Sequence, residues 1–84
     1  MNWTVAWKRA CRDDLATLWL DSDLRAAITE AAHRIDSQLA KDPLAVGESR
    51  DHDRRVLIEL QLGVSYKVKP TERKEIVIRV WRIS

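Results

Sequence analysis

The sequence is poorest in the residues that build covalent and metal frameworks. Cys11 is its only cysteine, which excludes an internal disulfide and any cysteine-based zinc site. No run approaches the roughly 20 apolar residues that span a bilayer as a helix, so no membrane association is expected. The opening stretch MNWTVAWKRACRDD has no apolar h-region and does not read as a secretory leader. With two glycines in the chain, neither a P-loop nor a Rossmann glycine pattern can be assembled, and no metal-ligand cluster or Ser-His-Asp arrangement is visible. No cofactor and no metal are expected, and a cytoplasmic location is the default. Repeats and low-complexity segments are also missing.

What is present suits one small folded domain over residues 1–84. An apolar fraction of 45% with 33% charged residues is ordinary for a globular chain and argues against wholesale disorder. The charge is unevenly spread. Residues 54–84 hold eight Lys/Arg against three Asp/Glu, and residues 1–53 hold seven against ten. A basic C-terminal third suggests an anionic partner on that side, although a charge excess also suits a solvated face.

Three runs in that basic third alternate apolar and polar residues with the period of a half-buried strand. Val56, Ile58 and Leu60 share one face of the first. Leu62, Val64, Tyr66 and Val68 share one face of the second, and Ile76, Ile78 and Val80 one face of the third. The turn Lys69–Arg73 separates the last two and contains Pro70. In simple register Arg55, Ser65, Lys67, Arg79 and Trp81 point together to the opposite, open face. Upstream, Trp3, Val5 and Trp7 alternate as a strand. Lys8–Leu20 reads as a helix with Cys11, Leu15, Leu18 and Trp19 in one stripe. Asp21–Asp23 offers cap oxygens. Leu24–Ala40 is a second helix, with Leu24, Ile28, Ala31, Ile35 and Leu39 along its apolar face and Glu30 paired with Arg34 outside. Pro43 ends it, and 43–53 reads as a loop. Trp3, Trp7 and Trp19 read as core, Cys11 as buried and inert. The expected class is α+β, in the order β-α-α-β-β-β, with a helical hairpin on one face of a small, twisted, mainly antiparallel sheet.

That order and several of its phrases resemble the RelE/ParE family of toxins from type II toxin–antitoxin (plasmid stabilisation) pairs. The resemblance runs through Trp3-Thr-Val-Ala-Trp7, the LxxLW stretch ending at Trp19, Ile35–Arg50, Arg55–Ile58, Leu62–Val68 and the closing Val80–Arg82. It implies a cognate antitoxin that wraps the toxin. It also implies one of two activities: RelE-like members cut mRNA in the ribosomal A site, and ParE-like members inhibit DNA gyrase without chemistry of their own. A degenerate member would retain antitoxin binding alone.

Cleavage requires a group that takes the 2′-hydroxyl proton and cations that steady the phosphorane. RelE-like enzymes place Lys and Arg, often with a C-terminal Tyr, on the open sheet face. Here Gly63 stands where such an Arg would precede the Leu/Val-x-Tyr run. Arg82 matches a late basic position, or Ile83 if the alignment shifts by one, and no Tyr follows. The candidate catalytic residues are therefore Arg82 and His52, the latter being the imidazole close in sequence to Arg50, Arg54 and Arg55. Arg50, Arg54, Arg55, Lys67, Arg79 and Trp81 are candidates for RNA, phosphate or partner contacts. His52 also suits a loop residue with no role, Trp81 a core residue at a sheet edge, and His33 a solvated helix surface.

Overall fold

The computed structural model describes residues 3–83. Its elements are β1 (Thr4–Trp7), α1 (Arg9–Leu20), α2 (Arg25–Lys41), β2 (Glu48–Ser49), β3 (Arg54–Glu59), β4 (Leu62–Lys69) and β5 (Lys74–Arg82), with a 3-10 turn at Pro70–Glu72. The five strands form one sheet in the order β1-β5-β4-β3-β2. Strands β2 to β5 pair antiparallel, and β1 lies parallel to β5. Both helices lie on one face of this sheet, so the expected α+β class and mainly antiparallel pairing hold. The two-residue β2, inside the stretch that reads as a loop, has no periodic signal of its own.

Helix α2 buries Ile28, Ala31, Ile35 and Leu39, a spacing that keeps one stripe on the sheet. They meet Leu57, Leu62, Val64, Tyr66, Val77 and Val80, with Cys11 joining from α1. Burial pushes the Cys11 thiol above its ordinary value, with Asp14 adding to the effect. Two members of the expected stripes lie outside this core. Leu24 precedes α2 and is exposed, and Trp19 is 38% exposed at the last turn of α1. The Trp19 indole N–H donates to the Thr29 hydroxyl, and the Arg25 guanidinium stacks on the ring. No side chain caps α2; the Ser22 hydroxyl instead accepts the Leu24 N–H at 2.8 Å.

The expected face of β3 is reversed, and that of β5 is shifted before a bulge while Val80 stays in the core as expected, for separate reasons. Strands β3 and β4 are joined by Leu60 and Gln61 alone, with Gln61 left-handed at φ 87°. This short turn sets Glu59 opposite Leu62. Residues opposite each other share a face, and faces alternate with a period of two. Since Leu62 is buried, Glu59, Leu57 and Arg55 point to the helices, and Val56 and Ile58 point away. Ile58 is accordingly 60% exposed and Leu60, in the turn, 74%. In β5 a bulge intervenes: Ser65 pairs with Arg79 but Tyr66 with Val77, leaving Ile78 as the extra residue. A bulge shifts the alternation by one, so Val77 and Glu75 face the core and Ile76 does not.

Two inward polar residues of β3 tie the fold together. Glu59 accepts hydrogen bonds from Gln38 at 2.8 Å and Arg34 at 2.9 Å, both on α2. These bonds, Gln38 first, hold its carboxyl below the usual range. Arg55 donates to the carbonyls of Leu44, Val46 and Gly47. The buried Tyr66 hydroxyl sits 2.8 Å from the Pro43 carbonyl and 2.9 Å from that of Val46. Gly47 closes this loop at φ 73°, where a Cβ would stand 2.7 Å from the Val56 carbonyl and 2.8 Å from the Tyr66 hydroxyl.

Glu75 is the opposite case. It is fully buried, and neither carboxylate oxygen has a partner. Burial, with Asp36 on α2 adding repulsion, raises its pKa from the ordinary 4.5 to about 7. The folded chain therefore keeps this proton over a pH range in which the unfolded chain has lost it. The resulting stabilisation is complete below the unfolded value and is lost as pH rises through the folded one. Denaturant midpoints should fall between pH 5 and 8 by an amount equivalent to roughly 2–3 kcal/mol, at about 1.4 kcal/mol per pH unit. Glu75→Gln should flatten that dependence; an unchanged slope in the variant would assign the effect elsewhere.

Candidate nucleic-acid interface

The sheet face turned away from the helices is built from three cross-strand rows. Arg54, Lys67 and Ile76 form one, Val56, Ser65 and Arg79 the next, and Ile58, Gly63 and Trp81 the third. Lys69 and Lys74 pair with each other at the far end of β4. The open faces of β3, β4 and β5 thus carry Arg54, Lys67, Lys69, Lys74 and Arg79, while β2 adds one carboxylate, Glu48 opposite Val56, which pairs with Arg50 at 3.0 Å. None of these five side chains makes an ion pair or hydrogen bond to another described residue.

Two of the pairings set like charges directly opposite: Arg54 against Lys67, and Lys69 against Lys74. Directly opposed side chains have Cβ atoms only about 4.5–5.5 Å apart, and like charges there destabilise a sheet. A face that accepts this repulsion with no internal counter-ion suits an anionic partner. Lys69 and Lys74 escape a sequence reading because Lys69 resembles part of the turn. The register of β4 against β5 alone brings them together.

The arginines expected here do different things. Arg55 does not reach the open face, since the hairpin register turns it inward, where loop carbonyls occupy its guanidinium. Its neighbour Arg54 takes the open position. Arg50 lies exposed in the turn before β3 and is bonded to the Glu48 carboxylate at 3.0 Å. His52 and Asp53 hold left-handed backbone at φ 60° and 61°. Ser49, Arg50, Asp51, His52 and Arg54 line a shallow depression of about 540 Å³ there. The His52 imidazole is exposed and no carboxylate orients it, but it stands beside the Arg54–Lys67 row.

Arg82 is elsewhere. It pairs with Leu62, which itself pairs with Glu59 at the opposite end of β3. Strand β3 runs from Arg54 to Glu59, about 17 Å at roughly 3.3 Å per residue. By alternation Arg82 also leaves the face that carries Trp81. His52 and Arg82 do not converge on one phosphate. Among the described residues no group of His, Cys, Asp and Glu could hold a metal ion, and no helix is long and apolar enough to cross a membrane.

A second surface lies on the other side. Trp7, Leu15, Ala16, Trp19, Leu20 and Ile28 line an apolar groove of about 720 Å³ between the helices. Leu20, 61% exposed, stands at its rim. The Trp7 indole N–H donates to Asp36 at 3.2 Å along the same groove. His33 is exposed at its edge, on the outer side of α2 as expected.

No family model and no curated relative matches this chain. Among solved structures, a chain of the toxin–antitoxin complex RelBE2 from Mycobacterium tuberculosis superposes with a TM-score of 0.80 over 99% of this chain and 93% of that one. Sequence identity is 17%, so the likeness establishes a shared fold. The architecture expected from the RelE/ParE resemblance is therefore present throughout the chain.

Two substitutions separate structural from anion-binding cations. Arg55→Ala should cost about 1.5–3 kcal/mol, the range for hydrogen bonds from a charged group, and leave polyanion affinity unchanged at temperatures where the variant is folded. Lys67→Glu should reverse both effects: it relieves a like-charge pair, stabilising by about 0.2–1 kcal/mol, and weakens polyanion binding. Denaturant titrations paired with heparin-affinity elution would read both, and a stabilised Lys67→Glu that elutes unchanged would remove Lys67 from the interface.

Proposed function

We propose that this chain is the toxin half of a two-protein toxin–antitoxin module, and that its open sheet face acts on ribosome-bound mRNA in the cytoplasm. The observation that carries this reading is the basic face with its two like-charge pairs, whose one strand carboxylate, Glu48, is paired with Arg50, on a fold shared with a chain of a toxin–antitoxin complex. In this reading the Arg54–Lys67 pair holds one backbone phosphate and Arg79, in the next row, holds its neighbour. His52, beside the first of these rows, takes the proton from a 2′-hydroxyl as that oxygen attacks the adjacent phosphorus. The bond to the 5′-oxygen of the next nucleotide then breaks, that oxygen takes a proton from water to leave as a 5′-hydroxyl, a 2′,3′-cyclic phosphate remains, and Arg54 with Lys67 neutralises the charge gathering on the phosphorane. Arg82, at the other end, contacts flanking RNA or the ribosome and does not share that phosphate.

The cognate antitoxin is net acidic. It covers the basic face, and its apolar side chains enter the groove between α1 and α2, where Leu20 and Trp19 offer exposed apolar surface. Ion pairs at such a rim mainly set the association rate and its salt dependence.

One observation favours a second reading. Gly63 stands where the resemblance to RelE implies a cation, and Trp81 lies over it. With His52 and Arg82 apart, this face also suits a ParE-like inhibitor of DNA gyrase that binds without chemistry. Mapping transcript ends by primer extension after induction separates the two. The parent should leave new ends within translated mRNAs, and His52→Ala should slow cleavage about 10²–10⁴-fold, the usual loss for a proton-transfer group. RNA association should persist in that variant. Growth arrest without mRNA cuts, together with loss of supercoiling by purified gyrase, would replace the first reading by the second. Arrest with neither effect would remove both.

A further inference from the structure

Trp81 differs from the other tryptophans. Trp7 and Trp19 each spend the indole N–H on a neighbour, and Arg25 covers the Trp19 ring. Arg73 stacks on Trp3. Among the described residues Trp81 has no hydrogen-bond partner and no stacked cation, and its partly exposed ring lies on the open face.

Gly63 explains how the ring is held there. A Cβ built on Gly63 would stand 2.6 Å from both Cε2 and Nε1 of Trp81 and 2.7 Å from Cζ2. The indole therefore rests directly on the β4 backbone, in space that any other residue would fill. One side of the ring is taken by the sheet. The other is turned to the surface, between Ile58 in the same row and Arg79 in the next.

We infer that Trp81, seated on Gly63, is a stacking platform for one unpaired nucleobase of the strand whose phosphates the neighbouring cations hold. This rests on the reading of the open face as an RNA surface. The recognised ligand is single-stranded, because a base within a duplex has no free π-face to offer. Every base has such a face, so the platform tolerates any sequence, with larger purines gaining most contact. Stacking of this kind adds about 1–3 kcal/mol per base, which corresponds to roughly 5–150-fold in affinity. It adds nothing to the salt slope, which counts phosphates.

The test compares oligonucleotides of equal length and charge: a single-stranded RNA, the same backbone with abasic positions, and inorganic polyphosphate. The wild-type chain should bind the RNA roughly 5–150-fold more tightly than the abasic strand, with parallel salt slopes and indole quenching for the RNA alone. Trp81→Leu should lose that margin and keep its affinity for polyphosphate, and Trp81→Phe should retain part of it. Gly63→Ala keeps the indole in the chain but must displace it, so it should reproduce the loss. Equal binding of RNA and abasic strand by the wild type would overturn the platform while leaving the backbone reading intact. The platform also falls if Trp81→Leu weakens polyphosphate as much as RNA, since Trp81 would then only support the cationic face. No salt-dependent binding of any of the three probes would overturn the RNA reading, and the platform with it.

Discussion

Much of this molecule depends on a turn of two residues. Leu60 and Gln61 leave Glu59 no position except opposite Leu62, and period-two alternation carries that choice down β3. Leu57 enters the core, Glu59 reaches Gln38 and Arg34 on α2, and Arg55 reaches the loop carbonyls. A slip of one residue would bring Val56 and Ile58 inside. It would also send Glu59 onto the basic face, setting a carboxylate among the cations. The turn therefore decides packing and electrostatics together.

The same register sorts the arginines and lysines by use. Arg55 and Arg34 are consumed by internal partners, whereas Arg54, Lys67, Lys69, Lys74 and Arg79 are left without them. Coulomb repulsion within that second group is a standing cost, softened by water and salt. Stability gives no reason to pair Arg54 with Lys67 and Lys69 with Lys74. The anionic partner proposed above would supply one. The fold itself is indifferent to this choice, because one architecture carries many activities, and the shared fold with a chain of RelBE2 leaves the chemistry to be argued from these side chains.

The two faces of the sheet divide the remaining work. The helix-covered face holds the core, where Tyr66 satisfies its hydroxyl on the 43–46 loop while Glu75 stays without a partner and keeps its proton. Across the sheet, the Trp81 indole rests on Gly63, and His52 stands apart at the β2–β3 turn. These groups lie spread along the face and do not gather at one point of it.

The class and the order of elements follow from the chain's own periodicity. Ile28, Ala31, Ile35 and Leu39 recur at helical spacing, and Leu62, Val64 and Tyr66 alternate without interruption, so local pattern suffices for α2 and β4. The basic bias of residues 54–84 is equally legible, because charge is additive along a chain. Direction is not. Whether Arg54 or Arg55 faces outward depends on a turn of two residues instead of three, and whether Ile76 or Val77 faces inward depends on a bulge at Ile78. Neither leaves a mark on the apolar pattern, since Val56-Leu57-Ile58 and Ile76-Val77-Ile78 are apolar at every position and fit either register. The exposure of Trp19 and Leu24 likewise follows from where the helices end over the sheet. The separation of His52 from Arg82, and the seat of Trp81 on Gly63, are relations across strands. Pairing decides them, because hydrogen-bond register converts positions distant in sequence into neighbours in space.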